Sequence, residues 1–516
     1  VPARTISLFF AFILLAAPLL AEEQDTGDHR VGLTLMECVE RAFVNNLSLQ
    51  NSRQALESVN TTVEGAKGAF DPSFFSTLDL IENISPSSSA YDNIIGVLEY
   101  ERRNYSWSTG FTGQMATGAN YTLALNLGRT WDPSSSQFLL FHPLLSNNVG
   151  LTVRQPLLKG GWTTYARSDV IQAGINSQSE ALNLETALND ILFQTVQAYW
   201  NMVFTLEDQA AKETSLSLAK DLLRINTQKK EEGVFSKIEV LEARSEVAQK
   251  QEQLITANNA VRSAEDALKR LILPFTDSDA WGTRISPLTE AEEAKDMEFD
   301  MDLLMAEALE KRPDFLRLKL DLKNREVDLL KARNELMPQL DLSGEWRYNA
   351  LGSNFGNVWD DIVDRSYRYL AVGVDFSYPI GNRTAHAAVR RSEIEYQRAL
   401  TTMRELEVEI VHELREAVRE IILQYQRYKT TSEALVLSTE RYNGEVKRLE
   451  AGISIPFQVR EAERTMVDDT VIKARALLDY QIALARLKQA RGTLLSEYGI
   501  SVPFPELREY VGYSGL

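Results

Sequence analysis

The side chains that could do chemistry are few and far apart. His29, His142, His386 and His412 are the four histidines, and no two stand at a metal-ligand spacing. Cys38 is the one cysteine, which excludes a disulfide within the chain; in Leu35-Met36-Glu37-Cys38-Val39 it reads as a small packed residue of a helix. No nucleophile, base and orienting group recur at a usable spacing, so the sequence predicts no enzyme, no cofactor and no metal site. What recurs is a turn. Glu232-Gly233-Val234 to Glu242-Ala243-Arg244 returns as Ala451-Gly452-Ile453 to Glu461-Ala462-Glu463. In each, a glycine suits the left-handed conformation that ends a helix, and an apolar residue follows it. An apolar side chain at an exposed hairpin end is a candidate partner surface, which singles out Gly233, Val234, Ser236, Gly452 and Ile453. The alternatives are local: an apolar contact accompanying the cap, a capping box at Ser236-x-x-Glu239, and pairing of Glu461 with Arg464 one turn on.

The turns belong to a longer repetition. Leu47 to Pro72 can be laid on Pro313 to Pro338, with Ala42 on Ala308 and Pro72 on Pro338, both 266 positions apart. Gln155-Pro156-Leu157 answers Tyr378-Pro379-Ile380 at a separation of only 223, so the first copy carries about 43 extra residues among its strands. Each copy runs helical start, strands, very long helix, turn, return helix. The organisation expected is a leader at 1–21, a flexible mature N-terminus at 22–32, a first repeat at 33–290 and a second at 291–500, then a tail at 501–516. Strands are expected at about 73–155 and 339–378, and long helices at about 162–273 and 384–496.

A net charge of −18 and a pI near 4.9 argue against nucleic acid, which needs concentrated Lys and Arg. Arg4, the apolar run Leu8 to Ala17 and Ala21 before Glu22-Glu23 read as a secretory leader, so the chain is expected to be exported. Beyond that leader no apolar run is long enough to cross a bilayer as a helix. Any crossing must therefore be made with strands.

Alternation supplies those strands. Leu370, Val372, Val374, Phe376 and Tyr378 interleave with Ala371, Gly373, Asp375 and Ser377, and Leu340, Leu342, Trp346 and Tyr348 with Gln339, Asp341, Ser343, Glu345 and Arg347. The insertion adds a hairpin at about 100–131. Tyr105, Trp107, Trp131, Trp346, Tyr348, Tyr369 and Tyr378, near strand ends, fit the aromatic girdles of a transmembrane barrel, and the Gly, Ser, Thr and Asp of the other face fit a wet lumen. A soluble sheet packed on one face is the alternative. Thr163 to Glu232 has no proline and only Gly174, enough for a helix about 100 Å long. Its return partner carries a seven-residue seam, Val240, Val247, Leu254, Val261 and Leu268, with Ala243, Ala257, Ala264 and Leu271 three residues on. The second copy keeps Ala462, Ala476, Ala483 and Ala490. Two short strand sets are too few to close a barrel, for which about eight strands is the practical minimum, so several chains must share one.

The chain resembles the TolC-type outer-membrane efflux proteins over essentially its whole mature length. The resemblance is carried by Leu33-Thr34-Leu35-x-Glu37 with Ala42 and Asn45-Asn46, by Gln155-Pro156-Leu157-Leu158-Lys159-Gly160-Gly161, and by Gly233-Val234-Phe235-Ser236-Lys237-Ile238-Glu239-Val240-Leu241-Glu242-Ala243. It implies a mixed α and β fold, a transmembrane β-barrel continuous with a long periplasmic α-helical barrel, built from two tandem repeats. It implies a homotrimer in outer-membrane lipid, with four strands per chain in a twelve-stranded barrel and a helical tube across the periplasm. That tube would dock on a periplasmic adaptor protein and an inner-membrane transporter, making an export duct for efflux or type I secretion. The resemblance also implies that the return helices close the pore with acidic side chains. Those positions fall on Gln458 and Glu461 in the second copy and on Glu239 and Glu242 in the first. The longer first strand region departs from the pattern: it either extends outside as a hairpin or enlarges the barrel. A stand-alone diffusion porin and an exported coiled-coil rod are the rival readings. Helices of about 100 Å speak against the first, the strands against the second.

Overall fold

Breakers set the element lengths in this chain. The computed structural model describes residues 30–500 apart from 88–93, 95, 97, 134–139, 234 and 275–280. The leader expected at 1–21, the residues up to 29 and the tail at 501–516 lie outside that range. In chain order the elements are β1 (Arg30–Leu33), α1 (Leu35–Asn45), α2 (Leu47–Lys67), β2 (Ser73–Pro86), β3 (Glu99–Gln114), β4 (Asn120–Trp131), β5 (Leu144–Pro156), α3 (Ser168–Glu231) and α4 (Lys237–Ile272). There follow β6 (Arg284–Pro287), α5 (Met301–Lys311), α6 (Pro313–Leu336), β7 (Gln339–Gly352), α7 (Phe355–Val363), β8 (Tyr367–Ser377), α8 (Arg383–Glu450) and α9 (Pro456–Ala490). With no proline inside them, α3 runs 64 residues and α8 runs 68, each about 100 Å. Arg30–Leu33 is not part of a flexible N-terminus: it pairs in parallel with β6.

Among the described residues the long strands form one antiparallel sheet in the order β2-β3-β4-β5-β7-β8. That is six strands from one chain, where the family resemblance implied four. The extra pair, β3 and β4, is the inserted hairpin, seated between β2 and β5. A single rung crosses the whole sheet as Phe74, Phe111, Leu123, Leu151, Trp346 and Leu370, all apolar and all on one face. Another crosses it on the opposite face as Thr77, Ser108, Asn126, Asn148, Asn349 and Tyr367. There the Ser108 hydroxyl donates to Asn126 Oδ1 at 2.6 Å and the Asn126 amide to Asn148 Oδ1 at 2.8 Å. Tyr369, expected in an apolar girdle, sits on the polar face opposite Arg347, whose guanidinium lies 4.5 Å from its ring centre. The residue parity of β8 decides that: Tyr369 is out of step with Leu370 and Val372.

The helices stand side by side. α3 packs on α4 and α9 toward the hairpin turns and on α2 and α6 toward the sheet, while α8 packs on α9 and α6. The return helices continue the short ones end to end. The Asn45 amide donates to the carbonyl of Ile272 at the end of α4, at 2.8 Å, and Arg312 Nη1 to the carbonyl of Ala490 at the end of α9, at 3.2 Å. The small seam residues Ala243, Ala257, Ala462, Ala476 and Ala483 are buried, which lets the helix axes approach. Cys38 is fully buried in α1, and burial pushes its thiol up to about 12.

One carboxylate in this helical core is out of place. Glu185 of α3 has Oε2 buried without a partner among the described residues, and burial alone raises its carboxyl from 4.5 to about 7. The unfolded chain gives up that proton near the ordinary value, so stability contributed by the neutral form is lost as pH rises from there through about 7. Glu185→Gln should therefore raise the thermal midpoint at pH 8 and leave it unchanged near pH 4. Solvent still reaches the group, which holds the gain to about 1 kcal/mol. A gain at pH 4 as large as that at pH 8 would mean that packing, not ionisation, is responsible.

Candidate functional site at the helical tips

Each long hairpin ends in a glycine-capped turn. Gly233 and Gly452 take φ of +79° and +75°, and a Cβ at either would meet open space, so it is the backbone conformation that calls for glycine. The Gly452 amide returns to the carbonyl of Leu449 and the Ile453 amide to that of Arg448, at 3.1 and 2.8 Å, the two bonds of a Schellman cap. At the first tip the Gly233 amide returns to Lys230 and that of Phe235 to Lys229. Val234 lies outside the described residues. Ser236 then starts α4 with its capping box, its amide donating to the Glu239 carboxylate and its hydroxyl accepting from Ile238. Glu239 is therefore engaged in the cap. α9 starts differently, with Pro456 in its first turn and no side-chain cap.

The two tips grip one another. Glu242 Oε2 of α4 lies 3.3 Å from Arg460 Nη2 of α9, and Arg460 also sits 5.7 Å from the centre of the Phe457 ring. Lys229, over the Phe235 ring at 5.3 Å, donates to the Leu449 carbonyl at 3.4 Å. Leu222, Leu449 and Val459 form a small apolar cluster behind these contacts. The Ser454 hydroxyl lies 2.7 Å from Glu445 Oε2 and 3.2 Å from Gln458 Oε1. That hydroxyl and then Arg448 hold the Glu445 carboxyl below its usual range. Glu461 is different: exposed, its carboxylate has no hydrogen bond or ion pair among the described residues. Arg464 turns instead to Asp468, at 3.9 Å.

Within one turn of Arg460 along α9 the contacts become buried. Glu463 of α9 accepts from the Ser215 hydroxyl of α3 at 2.6 Å and faces Lys250 of α4 at 4.0 Å, with Lys250 also 3.6 Å from Glu246. Burial pushes the Glu463 carboxyl up against the opposing pull of Ser215 and Lys250.

The structure thus brings Glu242, Gln458 and Glu461 to one end of the molecule, with Glu239 in the cap beside them. Sequence reading missed Arg460 as the partner of Glu242, since a contact across 218 positions leaves no local spacing. It also missed two apolar neighbours of Ile453. Ile453, Ile455 and Phe457 are 71%, 57% and 60% exposed, and their alternation in Gly452-Ile453-Ser454-Ile455-Pro456-Phe457 was legible. Among the described residues no group of His, Cys, Asp and Glu is arranged to hold a metal ion, and no helix is long and apolar enough to cross a membrane.

No curated protein is similar enough in sequence to count as a relative. Solved structures are similar in fold. A membrane protein from Pseudomonas aeruginosa aligns at 18% identity over 89% of this chain and 93% of its own, with a TM-score of 0.65. The Campylobacter jejuni CmeC outer membrane channel aligns at 16% identity over 89% and 86%, also at 0.65. The outer membrane protein VceC of Vibrio cholerae aligns at 15% over 89% and 96%, at 0.61. The sheet running into paired helices of about 100 Å is thus the TolC-like fold, in two tandem repeats. The model of the outer membrane efflux protein family matches residues 38–272 and 304–493, one stretch in each repeat, and the chain belongs to that family.

Proposed function

We propose that three copies of this chain form a duct that carries cargo from an inner-membrane transporter through the periplasm and out across the outer membrane. The observation that carries the reading is the continuity, within one chain, of a two-faced sheet with helices of about 100 Å. The sheet supplies a wall with an apolar and a polar side, and the helices supply the reach. Catalysis has no part in it.

The copies join because one chain leaves edges on both sides. β2 and β8 end the sheet with unpaired backbone groups, and α8 presents Val408, Val436 and Leu437 to solvent at 71%, 59% and 61% exposure. At the far end the exposed Ile453, Ile455 and Phe457, with Ile238 and Leu241 of the first tip, form the surface on which a periplasmic adaptor docks. Gly233, Ser236 and Gly452 set the shape of that surface. Behind it, Glu242 tied to Arg460 holds the two hairpins together, and Glu461 is the carboxylate left for the pore. Three copies of it around an axis repel one another and attract cations.

Mass measurement in detergent should give a three-chain species that does not dissociate to folded monomer, because stability is bound to assembly. A folded single chain with an intact barrel would rule this out.

Ile453→Asp with Phe457→Asp should reduce export to background while the trimer still inserts, since charge is added only at exposed positions. Export at the wild-type rate would free these tips of the docking role.

In planar bilayers, Glu461→Ala with Glu242→Ala should raise single-channel conductance and weaken block by divalent cations, one substitution removing the axial charge and the other releasing Arg460. Gln458→Asp should strengthen the block. If all variants conduct and block like the parent, these carboxylates lie away from the pore and closure rests on the packing of the tips.

A further inference from the structure

The inserted hairpin is built into the wall of the sheet at both ends. Its free ends, at Glu99 and Trp131, lie at the end of the sheet where α7 packs, opposite the end that meets the long helices. Its turn lies against the strand-to-helix crossing, where the Thr117 hydroxyl donates to Gln155 Oε1 and the Gln155 amide to the Thr117 carbonyl, both at 3.0 Å. Gly118, at φ +86°, comes so close that a Cβ would stand 2.7 Å from the Gly160 carbonyl. The hairpin therefore spans the full height of the sheet rather than projecting beyond it. From Tyr105 to Gly113 and from Tyr121 to Leu127 it also carries both faces; beyond them the apolar side gives way to Glu82, Glu101, Arg103 and Arg129. Phe111 and Leu123 belong to the apolar rung, and Ser108 and Asn126 to the polar one. A hairpin standing in water would have no use for the first, and one lying on the outside of a closed barrel no use for the second.

We propose that β3 and β4 are transmembrane strands of the pore wall, and that three chains joined β2 to β8 close an eighteen-stranded barrel with a bore wide enough for cargo that a twelve-stranded wall excludes. The inference rests on the three-chain reading above. The join is antiparallel as it must be: β2 and β8 are first and last of six alternating strands, so β8 of one copy runs opposite to β2 of the next. With strands about 4.8 Å apart and tilted about 40°, eighteen strands give a circumference of about 110 Å and twelve give about 75 Å. Twelve helices at 8–10 Å spacing give about 96–120 Å. An eighteen-stranded wall thus meets the helical tube at matching width, about 36 Å across the backbone against about 24 Å for twelve. The lumen face of the added strands is mostly hydrogen-bonding, and its one cation, Arg102, is paired with Asp132 at 3.3 Å, which suits large hydrated cargo such as peptides.

The test compares the full chain with a variant lacking 88–140, in which β2 can pair directly with β5 in the same antiparallel sense. With Glu461→Ala and Glu242→Ala in both, so that the tips do not set the flow, the chain with the hairpin should conduct up to about twofold better, as bore area goes with the square of diameter, and should admit larger polyethylene glycols from the outer side. Equal conductance and an equal size limit would overturn the proposal. Should the variant fail to assemble, single cysteines on β4 decide. Leu125→Cys should react with a membrane-soluble maleimide and its neighbour Ala124→Cys with a water-soluble one, while buried Cys38 stays silent. Reaction of both with the water-soluble reagent alone would place the hairpin outside the wall and overturn it. A native mass of other than three chains would overturn the count of eighteen together with the functional reading; the labelling separately reports whether the hairpin lies in the bilayer.

Discussion

A strand that stands in hydrocarbon must have both its edges paired, because no water is there to satisfy the backbone. Much of this chain is arranged around that requirement. Six strands in strict antiparallel order leave one edge at β2 and one at β8, pointing in opposite directions, so a neighbouring copy can complete each without a new kind of join. An even strand number also returns the chain to the helical side after each excursion. The insertion obeys this: it is a hairpin, not a single strand, and it keeps the register of both faces across the sheet.

The helical region answers a different constraint. Helices of about 100 Å cannot be stabilised by one compact core, so burial is distributed along seams and concentrated where short and return helices abut. Repeat symmetry shows what matters there. Cys38, Ala42 and Leu49 in the first copy correspond to Leu304, Ala308 and Phe315 in the second, and all six are buried. At the abutment the copies solve one problem with different chemistry. Asn45 and Asn46 cap and bridge in the first, whereas Arg312 in the second holds Asp314, Glu413 and the Ala490 carbonyl. Gly492 follows at φ +73°, where a Cβ would fall 2.9 Å from the Arg312 amide.

These features differ in how far the sequence disclosed them. The duplication, the turns at Gly233 and Gly452, the buried alanine seam and the capping box at Ser236 were all legible, because each is a short-range pattern repeated once. The place of the inserted hairpin was not. Alternation says that a segment is a strand, but its neighbours are chosen by register and turn contacts such as Thr117 with Gln155. Tyr369 misled because aromatic type was weighed above parity along β8. At the tips Glu242 was found and its partner Arg460 was not, while the buried Glu463 with Ser215 was missed altogether, since both contacts cross hundreds of positions.

Those long-range partners grade the resistance of the hairpins to separation. Glu242 is 56% exposed, so its pair with Arg460 is worth at most about 1 kcal/mol and weakens with salt. The Lys229 contact with the Leu449 carbonyl is a single hydrogen bond of similar order. Glu463 is another matter, with Ser215, Lys250 and its own carboxylate all buried. Pulling it from Lys250 and Ser215 without letting water in would strand a charge, at a cost of several kcal/mol. Tip separation therefore meets little resistance as far as Glu242 and steep resistance at Glu463. Separation of the tips is confined to the last few turns beyond that buried carboxylate, and the long columns behind it stay packed.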